Sequence, residues 1–380
     1  LYKECSETLR QDRLCSRHRL GEADQKAGIT MYYVNENIRD CVRVYPEQGR
    51  RPYLRLDMNE NPEGLPKAFV DSVLAEITPE YLATYPEPDV FKQKYADYLG
   101  VKPENLCLTN GSVMAIRYIL ETFVKKGETV VTVAPSFEMY WVTCAMLGLK
   151  HVGVPYDENL KISGQQIVEA IDEHTDLVAL LNPNNPIGSV YTEAEVRAVI
   201  ERARQVEAVV VIDEAYFYFN PNSFLPLFRE YDNVIVLRTF SKLCSMAGLR
   251  MGIVISRPEI IEYVQKSIPG FEVNTVALLF GERMLDHPEL FDQMLAIEQE
   301  GRTWIREKLL ENGYHCDFGQ GNFFFVEPHT DPMALEKKMR EKGILIKTYG
   351  KPLLKKYIRI SIGSKRVMEQ FLEAFLELDQ

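Results

Sequence analysis

The sequence has little with which to bind metal, cross a bilayer or meet a polyanion. Its seven cysteines (Cys5, Cys15, Cys41, Cys107, Cys144, Cys244 and Cys316) are odd in number and include no CxxC pair. That excludes a disulfide framework and a zinc site of the usual spacing, and reads as reduced, mostly buried thiols of a cytoplasmic protein. No run approaches ~18 uninterrupted apolar residues, so no membrane span is expected. No basic run interleaved with aromatics occurs, and 44 basic against 55 acidic residues leave a net charge of −11. Neither nucleic acid nor an anionic membrane is therefore an expected partner. The first 30 residues lack an apolar segment behind positive charge, so no secretory leader is expected.

What is there suits a large core: 380 residues, 46% of them hydrophobic, enough for a large domain and a smaller one. Residues 1–30 carry no strand pattern and read as an extension. Residues 31–64 form a polar, proline-broken arm. From 65 to 270, short apolar runs alternate with helical patterns. Strands are expected at 105–108, 129–134, 152–154, 176–181, 208–212, 233–237 and 251–255. Helices are expected at 71–77, 90–99 (apolar face Val90, Phe91, Tyr95, Tyr98, Leu99), 112–124, 139–147, 167–171 and 192–204, the last opening on Thr192 and Glu195 at capping-box spacing. Uninterrupted apolar runs between helices describe strands covered on both faces. The fold class is therefore α/β: a mostly parallel sheet covered by helices. Beyond 270 the texture changes to helices at 274–286, 290–312, 332–342 and 364–377 with strands at 322–326, 345–348 and 358–362. This predicts a smaller α+β domain over 271–380, onto which the 31–64 arm folds.

Three expected strands run into chemistry-bearing turns. One meets Asn182–Gly188 (NPNNPIG), the next Asp213-Glu-Ala-Tyr216, the third Thr239-Phe-Ser-Lys242. In a parallel sheet an amide, a carboxylate with a phenol, and an amine would then line one carboxyl edge, where open sheets bind ligands. That set matches the needs of pyridoxal 5′-phosphate. Its aldehyde needs an amine, Lys242. Its pyridine nitrogen stays protonated beside a buried carboxylate, Asp213. Its phenolic oxygen takes donors from Asn185 and Tyr216. Its phosphate suits the helix start at Gly111-Ser112, with hydroxyls from Thr239 and Ser241 and the charge of Arg250. Phe137 can stack on the ring. Each residue alone has a plainer use: Asp213 as a helix cap, Asn185 as a turn between prolines, Phe137 and Tyr216 as packing, Arg250 as a surface ion pair, Lys242 as a loop lysine. Their joint occurrence in this order carries the argument.

These motifs, with Ala247-Gly-Leu-Arg250, resemble those of the fold-type I, class I/II pyridoxal-phosphate aminotransferases. Leu56-Asp-Met-Asn-Glu-Asn-Pro62 and Thr84-Tyr-Pro86 are similar to the histidinol-phosphate aminotransferase branch, and the resemblance covers about 38–378. It implies a homodimer that moves an amino group between an amino donor and a 2-oxo acid. Lys242 would hold the cofactor and shuttle the proton, and Ser112, Ser241 and Arg250 would hold its phosphate. Arg359 would grip the substrate carboxylate through its planar fork, with Asn322 lining the same pocket. Lys347 stands where the branch has an arginine for the substrate phosphate.

The chain departs from that pattern at four places. Glu63 replaces a tyrosine that reaches the partner subunit's cofactor. Val113-Met114 replaces an acidic pair, and Ile187 a threonine. Lys347 keeps the charge and loses the fork, so histidinol phosphate is expected to turn over poorly beside a non-phosphorylated or differently shaped amino acid. Two other readings keep the cofactor: a decarboxylase of a phosphorylated amino acid, and a cofactor-binding regulatory module.

Overall fold

The chain's main body begins with β1 (Leu54–Arg55) and then supplies seven strands to one sheet. These are β2 (Leu106–Asn110), β3 (Thr129–Ala134), β4 (Lys150–Pro155), β5 (Thr175–Leu181), β6 (Val209–Asp213), β7 (Val234–Thr239) and β8 (Met251–Ile255). Their order across the sheet is β2-β8-β7-β6-β5-β3-β4. Five of them, β3 to β7, pair in parallel, as the unbroken apolar runs required. The exception is β8, which runs antiparallel to both β2 and β7. Along β5 the side chains alternate: Leu177, Ala179 and Leu181 enter one core, Val178 and Leu180 the other. Both faces are thus buried, and the sheet is sandwiched between helices. The computed structural model describes residues 32–42, 48–220 and 222–380. The extension read at 1–30 lies outside them.

Helix boundaries follow local chemistry. The helix Glu193–Gln205 starts at Thr192, whose hydroxyl accepts from the Glu195 N–H while the Glu195 carboxylate accepts from the Thr192 N–H. Two helices differ from their expected form. The one expected at 71–77 runs Lys67–Leu74, starting directly after Pro66. In Asp89–Leu99 the buried residues are Phe91, Tyr95 and Ala96, while Val90 is 55% exposed. Val90 sits a 100° step from Phe91 and so falls off the buried stripe.

Beyond the large sheet lies a second one, with order β12-β13-β10-β9, antiparallel throughout: β9 (Cys316–Asp317), β10 (Phe323–Val326), β12 (Lys347–Thr348) and β13 (Ile358–Ser361). The single strand expected at 345–348 is broken at Ile346. Its first half, β11 (Ile344–Leu345), pairs instead with β1. Leu56 joins Phe324, Ile360, Phe371 and Phe375 in a third core, so the segment after β1 is built into this part of the molecule.

Of the separate unit Leu1–Cys41, the described part holds one helix, Glu36–Arg39, with Asn35 as its N-cap. Among the described residues no helix is long and apolar enough to cross a membrane.

Candidate active site

Six strands present an end at one edge of the large sheet. β2 runs into Gly111, β3 into Pro135, β5 into Asn182, β6 ends on Asp213, and β7 runs into Ser241-Lys242. Because β8 is reversed, it begins there, directly after Arg250. The inverted strand adds an arginine to an edge otherwise made of carboxyl ends.

Neighbouring carboxylates at this edge divide the work. Glu214 is fully buried, pairs with Arg238 at 2.9 Å, and also accepts from Ser223 and the Phe224 N–H. It is satisfied by the core. Asp213, 3% exposed, has a carboxylate that among the described residues accepts only from the Ala215 N–H and the Tyr140 hydroxyl, both at 3.1 Å. Burial raises its carboxyl from the usual range to about 6, opposed by those two hydrogen bonds. A buried carboxyl held so far from its preferred charge suits a cationic ring nitrogen.

The asparagines of the 182–188 turn divide in the same way. Asn182 accepts from the Tyr191 N–H, and Asn184 donates to Pro135 O and the Tyr156 hydroxyl while accepting from Ser136. Those two brace the turn. Asn185 is left to face outward, and its Oδ1 accepts from Arg359 Nη1 at 2.6 Å.

Lys242 lies between these groups. Its Nζ donates to Met58 O at 3.2 Å and stands 5.5 Å from the centre of the Tyr216 ring. Burial lowers its amine to about 8, with Arg359 and Arg250 acting in the same direction and Glu60 and Asp213 against it. Tyr216 is buried, packs edge-on against Phe323, and accepts from Asn59 Nδ2 at 2.8 Å.

At the other end of the edge, Gly111 caps the helix Ser112–Phe123 with φ of +76° and offers no side chain of its own. A Cβ there would stand 2.4 Å from Arg250 Nη2. The guanidinium therefore lies against the bare backbone at a helix N-terminus, where free N–H groups and a positive charge meet. Gly252 allows this approach, since a Cβ there would meet the Ser112 nitrogen at 2.4 Å. Thr239 accepts from the Ser241 N–H and donates to Ser241 Oγ, or to Met251 O, so its hydroxyl braces Ser241 from within. Phe137 is half-buried and packs against the core on one face of the sheet.

The small sheet supplies the rest. Arg359 donates to Asn185 and to Asp57 O, while its Nε has no partner among the described residues. Asn322 donates to Asn59 O, and its Oδ1 has no partner among the described residues. Lys347, exposed, stands opposite Arg359 in the β12–β13 ladder. Nearby, the Tyr349 hydroxyl is buried without a partner among the described residues, its ring centre 5.9 Å from the Arg359 guanidinium carbon.

Every candidate read from the sequence except Phe137 is thus tied to another member of the site or to this sheet edge. Asn59, Tyr140 and Tyr349 were missed. The departures also find uses. Glu63 accepts from Ser364 and pairs with Arg366 at 3.2 Å, at the start of the helix Lys365–Leu378 where a carboxylate is favoured. Ile187 is buried core.

The arrangement offers an amine, a carboxylate for a ring nitrogen, donors for an oxygen and a cradle for a phosphate. The family pattern described as aminotransferase class I and II matches residues 51–375. The chain belongs to that family. It is a pyridoxal-phosphate aminotransferase, whose substrates are an amino donor and a 2-oxo acid. It is 31% identical over 334 residues to a histidinol-phosphate aminotransferase of Clostridium novyi, covering 87% of this chain and 92% of that one. A histidinol-phosphate aminotransferase of Pyrococcus furiosus is 30% identical over 85% of this chain and 91% of its own. The solved histidinol-phosphate aminotransferase of Sinorhizobium meliloti in complex with pyridoxal-5′-phosphate shares the fold, with a TM-score of 0.82, 24% identity, and coverage of 93% and 98%.

Proposed function

We propose that the amino donor of this aminotransferase carries a phosphate, and that histidinol phosphate, named for the relatives, is the first donor to test. The observation behind this is the pair of cations, Arg359 and Lys347, opposite one another and with no carboxylate partner among the described residues. The sequence alone set the lost fork of Lys347 against a phosphate. Its cross-strand position restores the case, because it puts Lys347 on the same sheet face as Arg359, so that both could hold one phosphate. Donor and 2-oxo acid occupy the site in turn, so one cation pair can serve a phosphate in one half-reaction and carboxylates in the other.

Bound pyridoxal phosphate supplies an aldehyde and an electron-withdrawing ring. In our reading Lys242 holds it and then, with an amine that is easily neutral, takes and returns the α-proton. Asp213, oriented by Tyr140, stands against the pyridine nitrogen. Asn185 and Tyr216 donate toward the phenolic oxygen, and Phe137 covers the ring. Gly111, Ser112, Thr239, Ser241 and Arg250 form the phosphate cradle. Arg359, Asn322 and Lys347 orient the substrate.

A homodimer would complete the assembly. The exposed stacked pair Tyr85 and Phe271, 4.3 Å apart, is a surface it could cover. Unpaired cysteines, three of the five described ones buried, accord with a cytoplasmic setting.

The test compares amino transfer to 2-oxoglutarate from histidinol phosphate, histidinol and common amino acids. A phosphorylated donor should win by roughly tenfold to a hundredfold, the value of one or two charge-assisted hydrogen bonds. Preference for an uncharged side chain would overturn the donor assignment. Carbon dioxide release without any acceptor would replace transamination by decarboxylation.

A further inference from the structure

Asn59 lies 157 residues from Tyr216 in sequence, yet its side-chain amide donates to the Tyr216 hydroxyl at 2.8 Å, with both residues buried. A phenol has one proton to give. Since Tyr216 accepts from Asn59 and has no other hydrogen bond among the described residues, that proton is left to point toward the ligand. Accepting a hydrogen bond also polarises the O–H and makes it a better donor.

The backbone of Asn59 is held on both sides, while its buried Oδ1 has no partner among the described residues. Its backbone N–H donates to Ser361 Oγ at 2.9 Å, and its carbonyl accepts from Asn322 Nδ2 at 3.1 Å. Its φ is +56°, a left-handed conformation that asparagine tolerates better than bulkier residues. The residue before it, Met58, gives its carbonyl to Lys242, and the one before that, Asp57, gives its carbonyl to Arg359. A structural asparagine in a turn has no need to reach a phenol in the turn beyond β6.

We infer that Asn59 is a positioning residue: it orients the Tyr216 hydroxyl so that this group donates to the phenolic oxygen of the bound cofactor. The inference rests on the role given to Tyr216 above. A donor at that oxygen stabilises its negative charge. When the donor weakens, the oxygen keeps more charge and holds a nearby proton more tightly, so the pH midpoint of the cofactor's visible absorption rises. The charged and titratable groups around Tyr216 are Arg359, Asp213, Lys242 and Tyr349. All of them remain in the variants below.

The experiment is a spectral pH titration of the holoenzyme, without substrate, for Tyr216→Phe, Asn59→Gly and the double variant. Glycine accepts the left-handed backbone and removes only the amide. Asn59→Ala, which removes the amide without adding a charge, serves if the glycine variant fails to fold. Tyr216→Phe should raise the midpoint by about one pH unit. Asn59→Gly, or Asn59→Ala in its place, should raise it by a smaller amount, and neither should add anything once the Tyr216 hydroxyl is gone. An Asn59 shift of equal size in both backgrounds, or none in either, overturns the inference while leaving the Tyr216 assignment intact. No shift with Tyr216→Phe would remove both.

Discussion

Lys347 stands directly opposite Arg359 across the antiparallel β12–β13 ladder, and neither has an ion-pair partner among the described residues. Directly opposed residues project from the same face of a sheet, with Cβ atoms about 5 Å apart, and like charges in that relation repel. The chain holds this repulsion in its free state, and an anion shared by the two side chains would relieve it.

Truncating one member should therefore separate binding from folding. Lys347→Ala should raise KM for a phosphorylated donor roughly tenfold to a hundredfold, with kcat changed far less. Lys347→Arg, which adds a fork, should bind that donor at least as well as the natural residue. Urea unfolding should show Lys347→Ala no less stable than the parent, since a repulsion is removed. A loss of kcat with KM unchanged would take Lys347 out of the substrate site.

The lowered amine of Lys242 makes its own forecast. With its pKa brought to about 8 by burial first and the nearby arginines second, it should be half neutral near pH 8. In the cofactor-free protein, competitive acetylation read by mass spectrometry should show Lys242 reactivity climbing up to about pH 8 and then levelling, while exposed lysines continue to rise toward their ordinary range. Lys242→Ala should also lose the visible absorption of the lysine-bound cofactor. A Lys242 profile parallel to those of exposed lysines would mean that the amine is not desolvated as the structure has it.

Much of this framework was legible in the sequence wherever a local signal was strong. β3, β8 and the helix Met139–Leu147 have the bounds that their apolar patterns predicted, with Pro135 and the left-handed Gly148 ending two of them. The direction of β8 was not read, although a clue existed. Parallel neighbours need a crossover of a dozen or more residues, usually helical, and the stretch between β7 and β8 holds only the short turn Ala247–Leu249. The strand expected at 345–348 was split because pairing with β1 and with β13 draws its two halves into different sheets. Lys242, Asp213 and Asn185 were found because each lies in a turn at the end of an apolar run. Asn59 and Tyr140 act through contacts 157 and 73 residues distant in sequence, for which no periodicity gives a sign.

Gly111 offers a test of the phosphate cradle. Its φ of +76° disfavours any side chain, and an added Cβ would collide with Arg250 Nη2 at 2.4 Å. The Arg250 guanidinium would have to move away from the helix N-terminus. Gly111→Ala should weaken pyridoxal 5′-phosphate binding roughly tenfold to a hundredfold, the cost of a displaced charge-assisted contact. Binding of pyridoxal, which lacks the phosphate, should change little. Equal losses for the two compounds in equilibrium titrations would point to a general distortion of the site.

Asp213 should be a residue that the fold pays to keep. Its carboxyl is raised from 3.8 to about 6, first by burial. A carboxyl with a raised folded-state pKa costs nothing while protonated in both states, below pH 4. The cost grows as pH climbs from about 4 to 6 and is then constant, near 3 kcal/mol for a shift of about two units. Asparagine at this position never titrates. Cofactor-free Asp213→Asn should therefore match the parent in stability at pH 4 and exceed it by roughly 1–3 kcal/mol at pH 8, with the gap opening between those values. The same variant should lose cofactor affinity, because the ring nitrogen loses its counter-charge. Urea unfolding of both proteins across that pH range measures the difference directly, and every other titrating group cancels in the comparison. A gap that stays flat with pH would show that Asp213 is ionised at no cost, and would remove the reason for assigning it to a cationic nitrogen.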